Sequence, residues 1–152
     1  MSRLYDEDFY SWTIEQAEAL RAAGRARLNT PRTIDWEAVA EEIESMGRSQ
    51  ASELGSRYYR LLTHLLKWRY QPQRRSRSWR ATIVEQRLGL ADLIEGNPGM
   101  KPMRARAFEK AYRNARKLAA AETGLPVETF PETSPFTLEE AMNEDFFPDP
   151  EA

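Results

Sequence analysis

Apolar side chains recur every three to four residues along most of this chain, a spacing typical of amphipathic α-helices. No strand pattern competes with this helical period anywhere in the sequence. The first predicted helix places Phe9, Trp12, Ala17 and Leu20 near one face and ends close to Gly24. The pattern therefore favours an all-helical fold.

A second helix is predicted after Asp35, which can cap its N-terminus, and a third is predicted to end before Pro72. The segment GRSQ between them, residues 47–50, indicates a break with Ser49 as a new cap. A single long, bent helix across this segment fits the same pattern. Both interpretations stay open at the level of sequence.

Either Ser76 or Ser78 can cap a fourth helix, which the turn sequence EGNPG ends. Gln86 falls on the inward face of this helix, so we expect it to have a hydrogen-bond partner. The fifth helix is predicted from about Pro102 to Thr123, with an alanine-rich face that allows a neighbouring helix to come close.

The residues after 123 form a proline-punctuated acidic tail with one short helix, capped by Thr137. Its phenylalanines indicate that the tail lies against the rest of the protein: Phe130, Phe136, Phe146 and Phe147. The predicted fold class is all-α, an antiparallel bundle of four to five helices over residues 1–123. The tail, residues 124–152, packs on this bundle within a single domain, residues 1–152.

Five ordered motifs resemble a known bacterial family, the domain of unknown function 29 family. They are DEDFYSW, IDWEAVAEEIESMGRS, HLLKWRYQP, SWRATIVEQR and AAAETGLPVETFPETSPFTLEEAMNEDFFP, which span nearly the whole chain. The resemblance implies a small, single-domain, α-helical bacterial protein. It implies no activity, cofactor or catalytic residue, so function must be argued from the residues themselves.

Composition removes several classes of function. The chain has no cysteine, which excludes disulfides, thiolate metal sites, iron–sulfur clusters and cysteine nucleophiles. It has no phosphate-binding glycine loop, and no apolar run reaches the roughly 20 residues that a membrane helix needs. The start of the chain is acidic and aromatic, unlike a secretory signal. We therefore expect a cytoplasmic protein without membrane contact.

The net charge of −2 conceals three blocks of different sign. Residues 1–56 carry 6 basic and 11 acidic side chains, residues 57–117 carry 16 and 4, and residues 118–152 carry 0 and 9. A basic middle between acidic ends can be neutralised within the protein or offered to a partner.

The candidate binding surface combines arginines with aromatic residues in HLLKWRYQPQRRSRSWR and continues in a basic row on the fifth helix. Guanidinium groups match phosphates and carboxylates, and aromatic rings can stack on bases. The candidate anion-binding residues are Lys67, Arg69, Arg74, Arg75, Arg77, Arg80, Arg106, Lys110, Arg113 and Lys117. The competing interpretation is that these charges are solvated or covered by the acidic tail, and that Trp68 and Trp79 pack in the core.

A second hypothesis joins His64, the single histidine, to Glu42 or Glu44 on a neighbouring helix. Such a pair would give a metal site or an acid–base pair in a small metal-dependent enzyme or metal-binding protein. The simpler interpretation is that His64 hydrogen-bonds a nearby carbonyl or carboxylate while the glutamates form a solvated face.

The favoured hypothesis is a non-enzymatic interaction or regulatory module without a cofactor or metal. Its partner would be an acidic protein or nucleic acid, and self-association into a homo-oligomer stays open. Under this hypothesis the acidic tail is also a removable cover over the basic surface.

Overall fold

The computed structural model describes residues 3–26, 29 and 31–150, and within them it contains six α-helices and no strand. The helices are α1 (Leu4–Glu7), α2 (Phe9–Ala26), α3 (Trp36–Tyr70), α4 (Arg77–Gly96), α5 (Arg104–Thr123) and α6 (Leu138–Met142). Short 3-10 turns lie at Pro72–Arg74, Pro98–Met103 and Val127–Thr129. The predicted all-helical fold class is confirmed, and the structure fits a helical bundle.

The starts of three helices follow capping residues in the sequence. The carboxylate of Asp35 accepts a hydrogen bond from the Ala38 amide at 3.0 Å, which fixes the start of α3. Ser76, rather than Ser78, caps α4, because its hydroxyl accepts from the Trp79 amide at 3.1 Å. Thr137 forms a capping box with Glu140 at the start of α6.

The predicted break at residues 47–50 does not occur, and the alternative of one continuous helix is correct. α3 runs for 35 residues through this segment. Gly47 is buried against α2, where a Cβ atom would overlap the hydroxyl of Thr13. The glycine therefore serves close packing between two helices rather than a change of chain direction.

The chain divides into two compact units. Unit 1 comprises Met1–Glu53 and Leu93–Lys101, and unit 2 comprises Leu54–Asp92 and Pro102–Ala152. That the whole chain forms a single domain stays a prediction.

Unit 1 has a core of small and medium side chains. Thr13, Ala17, Ala40 and Met100 are almost completely buried in it. Two apolar residues of α3 point outward, since Val39 is 41% and Met46 is 46% exposed. The apolar stripe of this part of α3 is therefore wider than the face that is buried.

Unit 2 has a larger aliphatic and aromatic core that includes part of the tail. It is built from leucines of α3, Ile83 and Leu90 of α4, and Phe108 and Tyr112 of α5. Phe130 is completely buried and Phe136 is 3% exposed, which confirms that the tail packs on the helices. Among the residues described, no helix is long and apolar enough to cross a membrane.

Candidate binding surface

The arginine-rich segment at the junction of α3 and α4 is divided between buried and exposed cations. Lys67 is only 8% exposed, and its ammonium donates to Glu122 at 2.7 Å while lying 4.6 Å from the ring centre of Trp79. The guanidinium of Arg75 donates to the carbonyls of Trp68 at 2.8 Å and Pro148 at 3.1 Å. These two cations hold parts of unit 2 together.

Arg69 also contacts aromatic residues within unit 2. Its guanidinium carbon lies 5.7 Å from the ring centre of Tyr70 and 5.8 Å from that of Phe136. Three of the six basic residues predicted here as ligand contacts are thus directed toward the protein itself. The exposed ones are Arg74, Arg77 and Arg80, which lie just before and within the first turn of α4.

The aromatic residues of this segment are also engaged within the protein. Trp68 packs against Phe147 with ring centres 5.2 Å apart, and Tyr70 packs against Phe130 at 5.1 Å. Trp79 lies beside the ammonium of Lys67. Stacking on nucleic-acid bases requires an accessible ring face. The aromatic half of the predicted nucleic-acid surface therefore has a different role, in packing.

The sequence did not identify Arg87 as a residue that binds the tail. It is 5% exposed, and its guanidinium donates to the carbonyls of Ala141 at 2.7 Å, Glu144 at 3.5 Å and Phe146 at 2.6 Å. Burial, together with the positive charge of Arg80, lowers the pKa of Arg87 to about 10. The guanidinium is therefore still charged at neutral pH.

Two further side chains bind the start of the tail. Arg116 donates to the carbonyl of Phe130 at 2.8 Å, and the hydroxyl of Tyr112 donates to the carbonyl of Pro131. Burial raises the pKa of Tyr112 to about 12, so its hydroxyl keeps the proton that it donates. The basic helices thus hold the tail through its main-chain carbonyls.

The acidic side chains of the tail are turned toward solvent. Six acidic residues of the tail that could have covered the basic helices are exposed: Glu128, Glu132, Glu139, Glu140, Glu144 and Asp145. The second basic row on α5 is exposed as well: Arg106, Lys110, Arg113 and Lys117. Within this row Arg113 lies 3.9 Å from Glu109 of its own helix. The predicted anchoring by phenylalanines is confirmed for Phe130 and Phe136.

An exposed apolar stripe on α4 completes the candidate surface. Ala81, Val84 and Leu88 follow Arg77 along one side of the helix, and Val84 is 41% and Leu88 63% exposed. Together with Arg80 and Glu85 they line a shallow groove of about 450 Å³. The groove has an apolar floor and carries arginines toward the N-terminal end of the helix.

Gln86 faces the interior, as predicted, and has a partner. It is 4% exposed, and its side-chain oxygen accepts a hydrogen bond from Arg57 at 3.3 Å. The contact joins α3 to α4 within unit 2 and has a structural role.

The hypothetical site of His64 with Glu42 or Glu44 is not assembled. All three residues lie on α3, and His64 follows Glu44 by 20 residues on this helix. Both glutamates belong to unit 1, and His64 belongs to unit 2. His64 and the glutamates are therefore not on two neighbouring helices, as the hypothesis requires.

Each of these residues has local contacts instead. The Nδ1 atom of His64 is bonded to the carbonyl of Arg60 at 2.8 Å, so Nδ1 carries the proton. Burial lowers the pKa of His64, and the nearby charge of Lys67 lowers it further. Glu44 pairs with Arg21, and Glu42 is exposed. The described residues contain no group of three or more histidine, aspartate or glutamate side chains placed to bind a metal ion.

The fold and this surface define the class of protein: it is all-helical, its C-terminal tail packs on the helices, and one face of α4 exposes apolar and basic side chains. The family model for the domain of unknown function DUF29 matches residues 4–147, and the chain belongs to this family.

One solved structure is similar along almost the whole chain. It is the crystal structure of an alpha-helical protein of unknown function from Rhodospirillum rubrum, 29% identical, with a TM-score of 0.77. The match covers 96% of this chain and 93% of that one. A search of the curated proteins finds no match. These likenesses agree on the helical fold and assign no function.

Proposed function

We propose that this protein is a non-enzymatic binding module that takes an acidic, amphipathic segment of a partner protein on the exposed face of α4. The observation that carries the proposal is the groove along Arg77, Val84 and Leu88, in which large apolar side chains are exposed beside arginines. An apolar floor with charge at one end is a common arrangement for binding an amphipathic helix.

The groove also supports a particular orientation of the partner. Arg77 and Arg80 lie in the first turn of α4, where the helix dipole adds positive charge. Arg74, three residues before this helix, is exposed as well. Carboxylates of the partner would therefore lie at this end, and its apolar residues would cover Val84 and Leu88. From Arg77 to Leu88 the stripe is about 16 Å long, which matches roughly three turns of a partner helix.

A protein partner fits these contacts better than nucleic acid. The tryptophans next to the arginines are packed within unit 2, whereas the apolar side chains of Val84 and Leu88 in the same unit are exposed. Burial of aliphatic side chains stabilises protein complexes, while a nucleic-acid backbone offers them little apolar surface. The exposed row on α5 adds positive charge to unit 2 and would attract either partner.

The test uses a labelled synthetic helix-forming peptide with leucines at i, i+4 and i+7 and glutamates at its other positions. A peptide of the same composition in scrambled order is the control for charge alone. Fluorescence anisotropy is measured with the wild-type protein, Val84→Glu and Val39→Glu. The two valines form a matched pair, because each lies on a long helix and each is 41% exposed.

We expect the wild type to bind the ordered peptide more tightly than the scrambled one, with affinity falling as salt rises. Val84→Glu should weaken binding by roughly tenfold or more, equivalent to about 1.4 kcal/mol, since it puts a repelling charge on the apolar floor. Val39→Glu should bind like the wild type. Equal binding of both peptides, equal effects of both variants, or no binding would refute the proposal.

Two parallel measurements distinguish other occupants of the groove. Light scattering after size exclusion would reveal a homo-oligomer that Val84→Glu disrupts, which would assign the groove to a second copy of this chain. Titration with labelled single-stranded RNA and DNA would reveal nucleic-acid binding that Val84→Glu abolishes. Either result would overturn the proposal of an acidic protein segment.

A further inference from the structure

A second concave site lies in unit 1, independent of the surface on α4. It is a cleft of about 1040 Å³ between the last turns of α2 and the residues that lead into α3. Its volume is at the upper end of the range for sites that bind small molecules. Its lining includes Arg25, Arg32, Ile34 and Trp36.

One wall of the cleft is fixed by a close contact between helices. A Cβ atom at Gly24 would lie 2.6 Å from the Cβ atom of Trp36, so only glycine allows α2 to pass this tryptophan so closely. The contact holds the start of α3 against the end of α2. The indole of Trp36 is consequently an ordered apolar surface at the cleft.

A cluster of ion pairs holds the same two helices together and neutralises the charge of Arg21. Its guanidinium pairs with Glu37 at 3.0 Å, with Glu41 at 3.7 Å and with Glu44. The hydrogen bonds that Arg21 donates to Glu44 and Glu37 raise its pKa. The charge of this arginine is therefore neutralised within unit 1.

The other two arginines of the cleft have no such compensation. Arg25 and Arg32 are exposed, and the structure gives neither of them a hydrogen bond or ion pair with any residue that it describes. Ile34, which also lines the cleft, is 37% exposed. The cleft is thus lined by an indole, an exposed aliphatic side chain and two guanidinium groups that have no partner among the described residues.

We infer that this cleft binds a small organic anion, with its carboxylate or phosphate on Arg25 and Arg32 and its apolar body against Trp36 and Ile34. Guanidinium groups bind both kinds of anion through paired hydrogen bonds. The apolar wall selects an anion that carries a ring or chain over an inorganic ion. The site is separate from the proposed function, because its residues all lie in unit 1.

The test follows the indole N–H signal of Trp36 by nuclear magnetic resonance, assigned with Trp36→Phe. The probes are phenyl phosphate, benzoate, inorganic phosphate and benzyl alcohol, added at constant ionic strength. The test variant is the double substitution Arg25→Gln with Arg32→Gln. The control variant, Arg3→Gln with Arg48→Gln, removes the same charge from exposed positions of the same unit.

We expect phenyl phosphate or benzoate to shift the Trp36 signal to saturation and the uncharged alcohol to have little effect. Inorganic phosphate should bind more weakly than phenyl phosphate. The Arg25 and Arg32 double variant should lose at least tenfold in affinity, and the control variant should retain it. A preference between phenyl phosphate and benzoate identifies the anionic group that the site takes.

Three outcomes would overturn the inference. The first is that neither aromatic anion shifts the Trp36 signal in the wild type. The second is equal affinity for benzyl alcohol and the aromatic anions, which would make the charge irrelevant. The third is an equal loss in the test and control variants, which would reduce the effect to net charge. Circular dichroism of each variant confirms that the helices are intact.

Discussion

Arg87→Met removes a buried guanidinium while it preserves most of the length of the side chain. In the wild type this group donates to three main-chain carbonyls of the tail, two of them at 2.7 and 2.6 Å. After the substitution those carbonyls lose a charged donor in a place where water has little access. The end of the tail should therefore be the part of unit 2 that loosens first.

The size of the effect follows from the two short bonds. A hydrogen bond from a charged donor contributes about 1.5–3 kcal/mol, so two of them give an upper range of about 3–6 kcal/mol. Removing the buried charge offsets part of this loss of stability, because the desolvation of the guanidinium opposes folding. The net fall in the free energy of unfolding should be about 2–4 kcal/mol.

Arg80→Met is the matched control for this substitution. The guanidinium of Arg80 lies 4.2 Å from the ring centre of Phe147, which Arg87 also contacts at 5.2 Å, but Arg80 is exposed. An exposed cation–π contact contributes about 0.5–1 kcal/mol. Loss of the Arg80 guanidinium should therefore cost far less than loss of Arg87.

Urea denaturation followed by circular dichroism measures the free energy of unfolding of both variants. Hydrogen exchange of the amides from residue 141 to 147 reports on the tail directly. We expect faster exchange there in Arg87→Met than in Arg80→Met. If the two variants lose the same stability and the tail amides exchange at wild-type rates, the carbonyl contacts of Arg87 do not hold the tail.

Two further predictions concern α3. Because burial holds the pKa of His64 below its ordinary 6.5, the unfolded chain binds this proton first as the pH falls, and the folded state loses stability below pH 6.5. His64→Gln should remove this contribution, so the variant should lose less stability than the wild type when the pH falls from 7.5 to about 5.5. Urea titrations at both pH values measure the free energy of unfolding. The prediction is contradicted if the difference between variant and wild type is the same at both pH values. Gly47→Ala should lower the melting temperature, since overpacking against Thr13 costs about 1–3 kcal/mol and outweighs the gain in helix propensity of about 1 kcal/mol. Gly55→Ala, on the same helix with no atom within 4 Å, should raise it, and equal shifts would refute the packing role of Gly47.

Local signals in the sequence predicted much of the fold. Asp35 and Thr137 are caps because short polar side chains bond to the first amides of a helix, and that interaction needs no tertiary contact. Pro72 ends α3 for an equally local reason. The predicted break at Gly47 was wrong because the sequence does not distinguish a glycine that ends a helix from a glycine that lets a neighbouring helix pack closely. Only the position of Thr13 distinguishes them.

The candidate surface was harder to predict, because the burial of a cation depends on tertiary partners. Lys67, Arg75 and Arg87 find acceptors that are distant in sequence: Glu122, Pro148 and residues 141–146. Nothing in the local sequence separates them from the exposed Arg74 and Arg77. The apolar stripe was overlooked for a related reason. Leu88 lies about 200° around α4 from the inward-facing Gln86, on a face that the main apolar period does not include.

Arg80 lines the groove on α4 and also lies over Phe147, so the two regions share one side chain. In the proposed complex, a carboxylate that draws this guanidinium toward the groove would weaken its contact with Phe147. Thermodynamic linkage would make the effect reciprocal: a bound partner would lower the free energy needed to release the tail, and release of the tail would raise the affinity for the partner by the same factor. Under the proposed function, one arginine would therefore couple occupancy of α4 to the packing of Phe147.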